Sequence, residues 1–441
     1  MITFDPGNAM ASRVGSEHGL SDADLDDAAK ATGGLCERFR QGCEEGKIGF
    51  ARLPYKELPA HDAQAFAERN AGRFRNLVQV GIGGSALGAT AIHGALCDRF
   101  HNDRGTRPRY YALDHADPEE TRSLLEMLDP RETLYHVVSQ PRDPAGAMAG
   151  FLDALDRLQK TVGEDWTNHL VVSTDPEKGF LRGFAKEHGI QAFEIPPEVG
   201  GRFSVLSPAG LLPAAMLGVD LLDLLDGAAD AHEACEEEDP RKNPGFLFAL
   251  VPYLLDRARG KRQPAVMPCA RALRGAADWF RELWEESLGR DPEAAAPTFA
   301  TADPHARRYV EGPNDAYLLF LEVAKFREEG RVPAALPAEA PPAALQGKAY
   351  SEILSSMRSG TERALLQARR PHATLRLDEI SPRSLGALFF LLEAATLYAG
   401  WLYEVDPFDP QDLEVKPPAE PPSPAARGSR YAVRITRPEE S

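Results

Sequence analysis

Two short runs of this sequence join glycine to a group that can hold an anion. In EVGGRFSVLSPAG, Glu198 to Gly210, Gly200 and Gly201 stand directly before Arg202 and an apolar stretch. Paired glycines let the backbone turn tightly and come close to a ligand that a Cβ would hold away. The guanidinium that follows stays charged at any working pH. Taken alone, Gly-Gly-Arg is ordinarily a turn with a surface arginine. In the second run, NLVQVGIGGS, the residues Gly81, Gly83, Gly84 and Ser85 follow an apolar segment and open a helical pattern. Backbone N–H groups at such a helix start point at a phosphate held there. The spacing Gly81-x-Gly83-x-x-Ala86, with Asp114 ending the next apolar run, also meets a permissive dinucleotide fingerprint. By itself the turn leaves three readings open: a nicotinamide enzyme, a phosphosugar binder and a tight structural turn.

The elements that must position these groups alternate in type. From about Arg73, NLVQV reads as a buried strand, SALGATAIHGAL as a helix, and PRYYALDHAD and TLYHVVSQ as further strands. HLVVSTD and QAFEIP continue the series, SPAGLLPAAMLGVDLLDLLDGAADA reads as one long helix, and KRQPAVMPCA begins a second block. Short apolar strands alternating with helices predict a parallel sheet covered on both faces. Ser21 and Asp24, three apart, have capping-box spacing and predict a helical arm before the first strand. A proline-rich segment begins near Lys416 and predicts a solvated tail.

Composition narrows the partners. The formal charge of −17 argues against nucleic acid and anionic membrane, both of which ask for positive surface. An anionic substrate then needs local cations. The five cysteines are odd in number and scattered, without Cys-x-x-Cys spacing, so neither a disulfide framework nor a metal site is expected. A reducing cytoplasm fits that usage. The first residues lack a basic stretch followed by an apolar one, and no run is read as reaching the roughly 18 apolar residues of a membrane span. His93, in a helix pattern, and His136, in a strand pattern, read as core or surface residues.

Four segments in order, EVGGRFSVLSPAG, MPCARALRGAADWFRELWEESLGR (Met267 to Arg290), YVEGPNDAYLLFLEV (from Tyr309) and the run from Gly347 through SPRSLGALFFLLEAATLYAGWLYEVDPFD, resemble the bacterial glucose-6-phosphate isomerase family. The likeness covers most of residues 75–410. It implies two three-layer α/β/α domains of the sugar-isomerase (SIS) type with parallel sheets, in a homodimer whose active site is shared between subunits. The expected boundaries are 1–65 for the helical arm, 66–225 and 226–412 for the two domains, and 413–441 for the tail. The implied activity interconverts an aldose and a ketose phosphate through ring opening and an enediolate, with no cofactor. Glu286, in Glu-Ser-Leu-Gly-Arg, takes the place of the family's base, and Arg202 that of the cation which stabilises the enediolate. Without the resemblance, Glu286 would read equally well as a solvated member of the cluster Glu282, Glu285 and Glu286. The likeness further assigns ring opening to His305 and Lys416. Substrate contacts fall to Gly84, Ser85, Ser139, Gly201, Glu282 and Gln411.

Departures from the family pattern cluster at the ligand. The loop that supplies serine and threonine hydroxyls to phosphate reads SQPRDPAGA here, so Ser139 remains and two prolines cannot donate N–H bonds. Arg142 is the candidate to compensate, since a guanidinium grips phosphate in two-pronged fashion. Glu282 stands where the family commonly has glutamine, and a second acid near the base should raise the pair's pKa values. The segment after His305 is about two residues short, and Pro417 directly follows Lys416. A competing expectation is therefore a homologue that binds sugar phosphate without turning it over.

Overall fold

A computed structural model of the chain describes residues 2–32, 34–106, 108–140, 145–289, 296–302, 307–334 and 343–408. Among the described residues the strands form two five-stranded sheets. The first contains β2 (Asn76–Val80), β3 (Arg109–Leu113), β4 (Thr133–Val138), β5 (Leu170–Thr174) and β6 (Gln191–Glu194) in the order β3-β2-β4-β5-β6. All its pairs are parallel. The second has the order β1-β10-β9-β7-β8, from β1 (Ile2–Asp5), β7 (Gln263–Pro268), β8 (Ala300–Thr301), β9 (Ala316–Lys325) and β10 (His372–Glu379). Its pairs are parallel except β1 on β10.

Side-chain alternation explains why each sheet is covered twice. On β2 and β4, Leu77, Leu134 and Val138 face one apolar cluster, while Val78, Val80, Tyr135 and Val137 face another. On the second sheet Tyr317, Leu319 and Leu321 turn to the first of these clusters, and Leu318 and Phe320 turn outward to a third with Leu365. The two sheets thus share one core between them. Burying both faces requires near-continuous apolar strands, and each of β2, β4 and β5 is buried at every residue.

The N-terminal segment starts as a strand rather than a helix, because Ile2 to Asp5 alternate in burial against β10. Beyond it, Ser21 and Asp24 form the capping box: Ser21 N–H donates to Asp24 Oδ2 at 2.8 Å and Asp24 N–H to Ser21 Oγ at 3.0 Å. The stretch read as one long helix is two, Pro208–Met216 and Leu221–Cys235. Gly218 has φ +78° and breaks the first, and Asp220 caps the second by accepting from Leu222 N and Asp223 N.

The helix Pro382–Leu402 corrects a second expectation. It is 21 residues long, and an 18-residue stretch of it has mean hydropathy 1.6, long and apolar enough to cross a membrane, yet 89% of that stretch is buried inside the protein. It is the central core helix, and Gly386 lets it press against Leu224 O where a Cβ would collide. Within it Glu393 is fully buried and both carboxylate oxygens lack a hydrogen-bond partner. Burial raises its pKa well above the usual carboxylate value. The unfolded chain ionises near pH 4 and the folded one does not, so this site's contribution to stability falls as pH rises. Replacing Glu393 by Leu should raise the unfolding free energy at pH 8, with the gain over wild type growing by about 1.4 kcal/mol per pH unit from pH 5 until the folded group ionises. Denaturant titrations across that range check the slope.

Candidate active site

In the first sheet the chain leaves β2 for β3 on one side and returns to β4 on the other. A crevice opens where connections diverge in this way, at the carboxyl ends of the two strands. Here β2 runs into Gly81–Ser85 and β4 into Ser139 and Gln140. Gln79, fully buried on β2, donates through Nε2 to Ser85 O at 2.6 Å and Ala209 O at 3.1 Å, which fixes the start of the helix Gly84–Leu96. Gly83 has φ +58°, a conformation that favours glycine. A methyl on Gly83 would stand 2.6 Å from Glu282 Oε1 and 3.3 Å from Glu286 Oε1. The glycine turn is therefore the surface against which two carboxyl groups converge.

The arginine loop meets the same turn. A Cβ on Gly84 would collide with Gly201 O and lie 2.6 Å from Arg202 Cα, so the two backbones touch where glycine permits it. Gln140 Nε2 donates to Val199 O at 2.8 Å, and Ser204 Oγ to Gly201 O at 2.6 Å. Phe203 stacks on Phe50 with ring centroids 5.2 Å apart, anchoring the loop in the core. Arg202 Nη1 donates to Glu286 O at 2.6 Å. That carbonyl belongs to the last turn of the helix Arg274–Leu288, where a cation satisfies an orphan acceptor and the negative end of the helix dipole.

Glu282 and Glu286, four residues apart, share a half-buried face of this helix. The helix lies on Gly84–Leu96 through a close approach at Gly275, where a Cβ would come 3.0 Å from Ala91 Cα. Burial pushes the Glu282 carboxyl up to about 7, and the neighbouring Glu286 charge adds to it. Burial also raises Glu286, while the Arg202 charge and a hydrogen bond from Glu282 pull it back. The pair accordingly ionises first at Glu286, with the remaining proton on Glu282 donated to it. A carboxylate held in this way, next to a guanidinium, can take a proton from carbon and keep the resulting oxyanion in place.

Seven expected site residues come together: Gly84, Ser85, Ser139, Gly201, Arg202, Glu282 and Glu286. The Ser139 hydroxyl is buried with no hydrogen-bond partner, at the mouth of the loop read as a phosphate site. Arg142, His305, Gln411 and Lys416 lie outside the described residues, as does the proline-rich tail. Of the two histidines set aside, His136 is fully buried and bonded to Ser173 Oγ at 2.8 Å, and His93 is half-buried.

Sequence reading took Gly83 only as part of a turn, whereas it faces the carboxyl groups, and passed over Gln140, which holds the arginine loop. It also treated Asp114 only as a ribose-binding candidate, whereas its charge contributes to raising Glu282. Asp114 Oδ1 accepts from His115 Nδ1 at 2.8 Å, and this bond raises the His115 pKa. The signal available for Gly83 was the glycine spacing itself, and for His115 its place beside Asp114 at a strand end.

Strand-end loops that gather a carboxyl pair, a guanidinium and helix-start N–H groups define a protein built to move a proton on an anionic substrate. The family model described as phosphoglucose isomerase matches residues 61–302. The glucose-6-phosphate isomerase of Carboxydothermus hydrogenoformans is 36% identical over 412 residues, which cover 90% of this chain and 89% of that one. That of Rubrobacter xylanophilus is 37% identical over 425 residues, covering 94% and 95%. Among solved structures, a hypothetical protein of Thermus thermophilus superposes with TM-score 0.80 at 33% identity, over 93% of this chain and 96% of that one. A glucose-6-phosphate isomerase from Chlamydia trachomatis shares the fold at TM-score 0.75 and 18% identity, over 89% and 84%. The chain belongs to the phosphoglucose isomerase family.

Proposed function

We propose that this protein interconverts glucose 6-phosphate and fructose 6-phosphate, a reading supported by relatives named glucose-6-phosphate isomerase. The observation that carries the reading is the convergence of Glu286 and Glu282 on the Gly83 turn beside Arg202. Glu286 removes the C2 proton of the opened aldose and returns it at C1, while a hydroxyl proton passes between O1 and O2. Arg202 holds the enediolate oxygen. The helix-start N–H of Gly84, with the Ser85 and Ser139 hydroxyls, contacts the substrate. Ring opening and the remaining phosphate contacts fall to Arg142, His305, Gln411 and Lys416, the histidine acting across a homodimer. The five unpaired thiols suit a reducing cytoplasm.

A coupled assay on purified protein, run with each sugar phosphate, tests the activity. Turnover in both directions is expected. Tight binding without turnover would instead favour a non-catalytic homologue.

The carboxyl pair predicts the pH profile. Glu282 loses its proton near pH 7, after which two carboxylates face an anionic substrate. In wild type kcat/KM should fall above that pH, by up to about tenfold per unit. Glu282→Gln keeps a hydrogen-bond donor without the ionisation, so its profile should stay flat there. An alkaline limb unchanged in the variant would assign that limb to another group.

A further inference from the structure

A second cluster lies at the far end of the helix that starts at the glycine turn. Thirteen residues at about 1.5 Å each put it roughly 20 Å from Gly84 along the helix axis. His93 occupies the last turn, Cys97 caps the helix, and His101 follows on the connection to β3. One donor atom from each, two imidazole nitrogens and the thiol sulfur, lies within 4.8 Å of the others. The sequence spacing is His-x3-Cys-x3-His, which a search for Cys-x-x-Cys pairs does not see.

Three features set these residues apart from ordinary core packing. His101 Nε2 lies 2.9 Å from Pro108 O, and a carbonyl can only accept, so Nε2 carries the proton and Nδ1 presents a bare lone pair. An imidazole donating its far N–H to a backbone carbonyl is the arrangement that orients metal-bound histidines. His93 Nε2 is buried and has no hydrogen-bond partner. The connection is also built rather than loose: Asn102 exchanges hydrogen bonds with Tyr110 on β3, at 2.8 and 2.9 Å.

We propose that His93, Cys97 and His101 form a binding site for a divalent transition metal, with zinc as the fitting ion. Two imidazoles and a thiolate are borderline-soft donors that suit zinc, whereas calcium and magnesium ask for oxygen ligands. A tetrahedral ion needs its ligands roughly 3.5 Å apart, so the donors draw together by side-chain rotation around it. The fourth position remains for water. Zinc takes the thiolate, so binding displaces the Cys97 proton and weakens in acid. Arg327 donates to Ala95 O and Leu96 O at 2.9 and 2.7 Å, and thereby closes the helix end beside the thiol. The site's role is structural: it fastens the connection before β3 to the helix whose other end carries the glycine turn.

A second trio, Cys43, His232 and Glu236, serves as the internal control. The His232 Nδ1 partner there is the Tyr55 hydroxyl, at 2.8 Å, which can donate or accept and leaves the tautomer open. The test loads the full-length protein with zinc or cobalt(II), followed by desalting. Wild type and Cys43→Ser should both retain close to stoichiometric zinc, and cobalt(II) should give them a thiolate-to-metal charge-transfer band in the near ultraviolet. Cys97→Ser should lose the band, and His101→Ala should weaken zinc binding by at least about 10-fold, the lower end of what loss of an outer partner alone costs. Zinc should raise the melting temperature of wild type and not of Cys97→Ser, with circular dichroism confirming that each variant is folded. Absence of retained zinc in wild type, or a cobalt band that survives in Cys97→Ser and vanishes in Cys43→Ser, would overturn the assignment.

Discussion

Glu286→Gln should lower kcat by about 10²–10⁴, the range that a positioned general base contributes, with KM for fructose 6-phosphate changed only a few-fold. The amide keeps the size of the carboxylate and can still bond Glu282, but it cannot accept a proton from carbon. The informative readout is exchange rather than net turnover. In deuterated water the wild-type enzyme should wash the C2 proton out of glucose 6-phosphate, and the variant should not. Undiminished exchange would sink the assignment of the base, whatever happened to kcat. Glu285, exposed one position away on the same helix, is the control; Glu285→Gln should leave exchange intact.

Arg202→Ala should cost about 10²–10³ in kcat, the amount lost when a preorganised donor to a developing oxyanion is removed. Two effects could produce that loss. Arg202 stands beside the developing charge, and its Nη1 also ties down the last turn of the helix that carries Glu286. Arg202→Lys separates them, since an ammonium keeps the charge but not the forked geometry of a guanidinium. If the charge dominates, the lysine variant recovers most of kcat. If the tie dominates, both variants behave alike, and the alkaline limb assigned to Glu282 shifts in both because the carboxyl pair has moved.

How far the sequence reached depends on the range of each interaction. The strand, turn and helix at residues 76–96 were legible because period, glycine spacing and helix start all lie within one short window. The base and its neighbour were legible through collinear likeness. Their convergence on Gly83 was not, because it depends on how the helix Arg274–Leu288 crosses a helix far away in the chain. β1 was missed because four alternating residues are too few to outweigh the capping signal after them. The break at Gly218 was lost inside a long apolar run, where the Asp220 cap looked like one more surface acid. The length of the core helix was underread because Glu393 interrupts its apolar character, although the fold buries that glutamate with everything around it.

The pairing of β1 with β10 bears on how the protein is made. Residues 2–5 leave the ribosome long before their hydrogen-bonding partners, residues 374–377. The central core helix comes later still, at residues 382–402. Until that helix has emerged, the apolar faces it covers have no permanent cover, and contacts this distant in sequence form slowly. Such a chain is a natural client for chaperones, and its yield in a heterologous host should respond more to growth temperature and chaperone supply than to changes on its surface.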